Sequence, residues 1–125
     1  MKPGHSGLTR LFHATRWSFR GLRAGWSNEA AFRQEVLLLI VALPLSLLLA
    51  RNTVQWLLLV LPLLALLTVE LINSAIETVV DRIGSEFNEL SGRAKDLGSA
   101  AVFICLLACA TSWLTIGYQN FFGKT

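Results

Sequence analysis

The chain has 125 residues, of which 54% are hydrophobic and 15% charged, with mean hydropathy +0.55 and a formal net charge of +3. Soluble domains carry roughly 25% charged residues, so this composition excludes an ordinary water-soluble fold and points to a single membrane domain. Two cysteines one helical turn apart, Cys105 and Cys109, make no zinc or disulfide framework and read as small apolar side chains of a helix.

In chain order, the first 26 residues come first, and they do not read as a signal peptide, because the apolar run begins too late. Leu8, Phe12, Thr15, Phe19, Leu22 and Trp26 recur at steps of four and three, with Arg16, Arg20 and Arg23 along one flank. That pattern predicts an amphipathic helix over about residues 5–26, lying on a membrane surface with its basic flank toward anionic lipid. Residues 36–50 carry no charge, so a first membrane span is predicted over about 30–50, using the turn before Val36 to reach across. Arg51 interrupts, and a second clean run leads to a helix over 53–83, with Asn52 or Thr53 as its cap and an antiparallel hairpin to the first span. Pro44 and Pro62 fall inside these spans, where neighbouring helices can satisfy the freed backbone groups. A connection over about residues 84–92, rich in Gly, Ser and Asn, precedes a third span over 93–121. The fold expected is therefore an all-α membrane protein with one surface helix and three transmembrane helices.

Basic residues set the orientation. Lys2, Arg10, Arg16, Arg20, Arg23, Arg33, Arg82, Arg93 and Lys95 fall on one side; only Arg51 and Lys124 fall on the other. The N-terminus and the second connection are thus expected in the cytoplasm, and the C-terminus outside it. Trp56, Trp113 and Tyr118 would then form an aromatic belt at the outer interface.

The chemistry is concentrated in residues 70–81. Glu70, Asn73, Glu77 and Asp81 are spaced three, four and four apart, which puts them on one line of a helix, within about 80° of one another. Counting from Thr53 at 1.5 Å per residue, Glu70 lies about 25 Å along, just inside a hydrocarbon core about 30 Å thick. Glu77 and Asp81 reach into the headgroups. A seam of polar glue between helices explains one such residue, with Asn73 and Ser74 in that role. It explains three acids badly, since they repel unless a cation sits among them. Arg82 and Lys95 lie too near the water to reach Glu70, so magnesium shared with a phosphate chain is the natural cation. Phosphoryl transfer needs such a metal, cations for the nucleotide and a base for the attacking hydroxyl. Glu29 and Glu77 could hold metal, Lys95 and Arg10 could meet phosphate, and Glu70 could serve the hydroxyl of a lipid. No Walker loop or kinase glycine loop is present. A cation channel is the rival from another class, but residues 54–69 offer only Gln55 and Thr68, so the polar line stops partway. A passive assembly factor leaves the clustered acids unexplained.

Three segments together carry a resemblance. These are Asn28-Glu29-Ala30-Ala31-Phe32-Arg33-Gln34-Glu35, the stripe from Glu70 to Asp81, and Val80-Asp81-Arg82-Ile83-Gly84-Ser85-Glu86 through Gly92-Arg93-Ala94-Lys95-Asp96-Leu97-Gly98-Ser99-Ala100-Ala101. In this order the chain closely resembles the small prokaryotic diacylglycerol kinases. The resemblance implies a homotrimer of the bacterial inner membrane that moves the γ-phosphate of Mg-ATP to diacylglycerol, giving phosphatidate for phospholipid recycling, with no nucleic-acid partner. By position, Glu70 looks like the base and Asn73 like its support, with Glu29 and Glu77 as metal ligands. Arg10, Trp17, Glu29, Glu77, Glu86, Phe87, Asn88, Lys95 and Asp96 match nucleotide-contacting positions. Gln34, Glu35, Glu70 and Ser99 fall at the lipid-substrate end, and Arg10, Ala14, Ser18, Arg23 and Trp26 line the way in beneath the surface helix. Trp17 and Asn88 stand where members often have Tyr and His; both can still stack or hydrogen-bond. The related undecaprenol kinases are the alternative within the enzyme class. A face of Ala94, Gly98 and Ala101 on the third span is small enough to let a neighbouring subunit approach.

Overall fold

The computed structural model describes residues 6–123, and these form four helices and no strand. Lys2 and Lys124, two of the charges that set the expected orientation, and residue 5, the expected start of the surface helix, lie outside the described residues. The helices are α1 Gly7–Asn28, α2 Ala30–Leu49, α3 Thr53–Ile83 and α4 Glu89–Phe121. The last three are long and apolar enough to cross a membrane.

A single extended residue, Glu29, with φ −119° and ψ 108°, separates α1 from α2. The corner is tied by the Arg33 guanidinium, which donates to the Trp26 carbonyl at 2.8 Å and the Ser27 carbonyl at 3.4 Å. Those carbonyls end α1 and have no partner within it, so a cation donating to them stabilises the terminus twice over. Gly25 is the one buried residue of α1. A Cβ there would press on Phe32 Cδ2 at 3.1 Å and Leu71 Cδ2 at 3.2 Å, so the glycine is what lets α1 close on α2 and α3. Gly25→Val should therefore cost about 1–3 kcal/mol by overpacking and loosen α1 without unfolding the spans. Hydrogen exchange checks this: faster exchange confined to α1 is expected, and unchanged protection there would contradict the packing role.

At the far end, Asn52 caps α3, its Oδ1 accepting from Gln55 N at 2.9 Å. Asn120 near the end of α4 donates to the Leu49 carbonyl at 2.6 Å and to Gln55 Oε1 at 2.9 Å, while Arg51 donates to the Asn120 carbonyl. This polar clasp joins the ends of α2 and α4 to the start of α3. One turn inward, Trp113 Nε1 donates to the Leu59 carbonyl at 3.0 Å. Pro62 interrupts the same turn of α3, since it has no N–H for the carbonyl four residues before it.

α3 is the central rod, packed mainly on α4 and secondarily on α2. The core is thin: Ala42, Leu63, Leu66 and Cys109 with Leu39, Val102, Cys105 and Trp113 against them. Leu48 is 84% and Leu114 73% exposed, and most large apolar side chains of α2 and α4 likewise face outward. In one copy these groups have only acyl tails or further protein to meet, because water would make such a surface untenable.

Two expectations are corrected. The third span begins at Glu89, not near residue 93, because Asn88 caps it: its Oδ1 accepts from Leu90 N at 2.9 Å and Ser91 N at 3.1 Å. The second connection shrinks to residues 84–88. The small residue Gly98 does not await a neighbouring subunit: it is buried against Asn73 of its own α3.

Candidate active site

α3 has 31 residues, about 46 Å of helix, so it overreaches a 30 Å hydrocarbon core by some ten residues. The acidic line lies on this overreach. Burial falls along it: Glu70 is 5% and Asn73 8% exposed, Glu77 is half-buried and Asp81 is exposed. Since the surrounding face packs on α4, the line points into the bundle at its deep end and opens to solvent at its shallow end. Depth in the membrane and depth in the protein run together.

Asn73 Nδ2 donates to Glu77 Oε1 at 3.1 Å, fixing that carboxylate one turn along. Glu70 lies within electrostatic range of both Glu77 and Glu29, and Glu35 within range of Glu70. Four of the predicted acids are thereby brought into one neighbourhood from α2, α3 and the corner between α1 and α2. Among the described residues no three metal-ligating side chains converge on one point. A pair of carboxylates still suits magnesium, which takes one or two carboxylates and completes its shell with phosphate and water. Glu35 Oε1 and Asn73 Oδ1 are buried with no hydrogen-bond donor among the described residues.

At the shallow end Lys95 Nζ donates to Asp81 Oδ1 at 2.8 Å, across from α4 to α3. Both groups are substantially exposed, at 42% and 67%, so the pair orients the ammonium more than it stabilises the fold. An ammonium has three donors; two remain for a phosphate. Beyond it, Glu86, Phe87 and Asn88 line a cavity of about 650 Å³ with Ile83, Gly84 and Ser91. Asn88 is a predicted nucleotide contact whose side-chain oxygen is already engaged in capping, which leaves its amide nitrogen to donate. Asp96 is exposed on α4.

A second groove, about 670 Å³, runs between α1 and α3 and is lined by Ser18, Gly21, Gly25, Glu29, Ser74 and Thr78, among others. It joins one predicted lipid contact, Ser18, to one predicted metal ligand, Glu29. Its lining is mostly carbon, with Leu22 and Leu71 in the wall. Arg10, Ala14, Trp17, Arg23 and Trp26 of α1 do not line it, and Gln34 and Ser99 are exposed away from it. Trp17 stacks on His13 with ring centroids 5.6 Å apart. One chain thus assembles the acids and brings Ser18 of α1 to them, while Ala14, Arg23 and Trp26 lie outside the groove wall.

Some positions were silent in the sequence. Arg33 reads as one more interfacial charge, yet it closes the corner that places Glu29. Asp81 reads as the wet end of the stripe, yet it aims Lys95. A signal for the second existed, an acid and a base facing each other from opposite sides of a short connection; for the first there was none.

The chain matches known proteins over nearly its whole length. A family model described as prokaryotic diacylglycerol kinase matches residues 16–117. The chain is 46% identical over 121 residues to a diacylglycerol kinase of Escherichia coli, covering 97% of this chain and 99% of that protein. It is 46% identical over 108 residues to that of Haemophilus influenzae, covering 86% and 92%. Against that of Helicobacter pylori it is 43% identical over 111 residues, covering 89% and 87%. The matched stretch holds every acid of the site and the corner that places Glu29, and the chain belongs to the prokaryotic diacylglycerol kinase family.

Proposed function

We propose that this chain is a diacylglycerol kinase of the bacterial inner membrane, moving the γ-phosphate of ATP to the free hydroxyl of diacylglycerol to give phosphatidate and ADP. The observation that carries this reading is the gradient along α3, from Glu70 at 5% exposure to open Asp81. A lipid hydroxyl can descend no further than its headgroup, and a triphosphate can enter no deeper than the interface. One face that carries acids across that boundary is where the two can meet.

Glu70 takes the hydroxyl proton as the lipid oxygen bonds to the γ-phosphorus, and the bond from that phosphorus to the β-phosphate oxygen breaks. Its burial keeps water from competing for the same base. Asn73 holds Glu77 in place through the 3.1 Å bond, and Lys95, steadied by Asp81, presents its free donors to the phosphates. Magnesium, when bound, supplies the positive charge that phosphoryl transfer needs, and Glu29 and Glu77 are the residues that would hold it. Residues 86–88 receive the nucleotide in their cavity, where the exposed Phe87 ring offers a stacking face.

The assembly proposed, from the family resemblance, is a homotrimer, with α1 as the amphipathic helix on the cytoplasmic leaflet. Leu8, Phe12 and Phe19 are exposed along α1 at 85%, 64% and 67%, a face suited to acyl tails. Ala14, Arg23 and Trp26, the predicted contacts of α1 outside the groove wall, would complete a neighbour's site.

The test is transfer of labelled γ-phosphate by the purified protein in lipid, offered diacylglycerol or a polyprenol, with and without magnesium. Label is expected in phosphatidate only, and only with the metal. Preference for the polyprenol would reassign the substrate, and no transfer to either alcohol would remove the kinase reading.

A further inference from the structure

The site has a feature on α4 to which neither the acidic line nor its predicted contacts assign a role. Gly98 is buried, and an added Cβ would run into Asn73 Oδ1, with Asn73 Cγ at 3.1 Å and Cβ at 3.8 Å from the same point. The Asn73 oxygen is itself fully buried and meets no hydrogen-bond donor among the described residues. The second hydrogen that glycine carries in place of a side chain therefore points at that oxygen. This is a Cα–H···O contact, weak beside an N–H···O bond but the only one this position can make. On the other side of the same amide, Nδ2 donates to Glu77 Oε1.

The two ends of the Asn73 amide are thus not interchangeable. Turning the amide over would set its oxygen against the Glu77 carboxylate, acceptor facing acceptor, and its nitrogen against carbon. Glycine at 98 leaves room for the oxygen, and Glu77 claims the nitrogen. Any side chain at 98 would displace the amide, and Glu77 would lose the donor that orients it. Other residues of α4 do not hold Asn73 this way: the neighbouring inter-helix bond, Lys95 to Asp81, lies nearer the connection and acts on a different carboxylate.

We infer that Gly98 is a positioning residue for the acid site, its missing side chain setting the Asn73 amide so that Glu77 is held ready for a divalent cation. This rests on the proposed role of Glu77 as a metal ligand. Groups that orient a ligand from behind change metal affinity by roughly 10–100-fold when removed.

The experiment is a double-mutant cycle on the full chain in lipid, with Gly98→Ala, Asn73→Ala and both together. It reads manganese binding by electron paramagnetic resonance, with the metal alone as probe, and the thermal midpoint. Gly98→Ala is expected to raise the manganese midpoint at least tenfold and to lower the thermal midpoint. In the Asn73→Ala background it should change neither, because the group it displaces is gone. If Gly98→Ala alone does not fold, the double variant still decides: it should fold and match Asn73→Ala. An equal loss from Gly98→Ala in both backgrounds, or a manganese midpoint left unchanged by a folded Gly98→Ala, would overturn the inference. Failure of the kinase reading looks different: the wild-type chain would bind no manganese and phosphorylate no lipid, while the two residues stayed coupled in thermal midpoint.

Discussion

Glu70→Gln is expected to lower kcat for phosphate transfer by about 10²–10⁴-fold while KM for ATP and for lipid stays within a few-fold, the range for loss of a positioned general base. Glutamine has the same length and nearly the same volume, so α3 and its packing should survive. What it lacks is a lone pair basic enough to take the hydroxyl proton. Glu70 is the one carboxylate of the line that is both buried and at the depth a lipid hydroxyl can reach. Glu77 and Asp81, nearer water, cannot substitute for it. Steady-state kinetics of both proteins in the same mixed micelles reads the split directly. A KM effect with kcat intact would make Glu70 a binding group, and equal activity would remove it from the chemistry.

The line of acids was legible because helical phase is a property of one segment. Spacings of three and four fix a face whatever lies opposite, and the distance from Thr53 fixes depth. Helix ends were legible where a capping residue was recognised, as at Asn52. Asn88 was read for its place in the resemblance and not for its capping side chain, so α4 was begun four residues late. Of the partners across α3, only Lys95 and Asp81 left a signal, a base and an acid flanking one short connection, and even that signal fixes no geometry. Lys95 meeting Asp81 and Gly98 meeting Asn73 depend on the relative rotation and height of two helices. A hydrophobic pattern on α4 does not give that rotation, because nearly all its faces are apolar and only Gly98, Cys109 and Ile116 are buried. Gly98 of the small-residue face was seen correctly as a place of close approach, but its neighbour is Asn73 of the same chain, which the pattern could not give for the same reason. Arg33 shows a further limit: its partners are backbone carbonyls, which every residue carries, so no side-chain pattern announces them.

Glu77→Gln should shift the magnesium titration of activity upward by at least 10-fold and leave kcat at saturating magnesium much less affected. Removing one of two carboxylates takes away a full negative charge and a ligand oxygen of the strength that hard cations require. The glutamine oxygen can still accept the Asn73 hydrogen bond, so the helix contact at 3.1 Å is retained in kind. That separates the two readings of Glu77. If it only glues the stripe together, the amide does nearly the same work and the titration stays put. If it holds metal, excess magnesium restores much of the lost rate, which no amount of metal could do for a misfolded site. Glu89→Gln, on the exposed first turn of α4, is the matching control for loss of one negative charge near the interface, and its midpoint should not move. A Glu77 variant that titrates like wild type would return the acidic line to a structural seam. Glu70 would then be its one chemical group, and the cation that phosphoryl transfer requires would have to be held elsewhere.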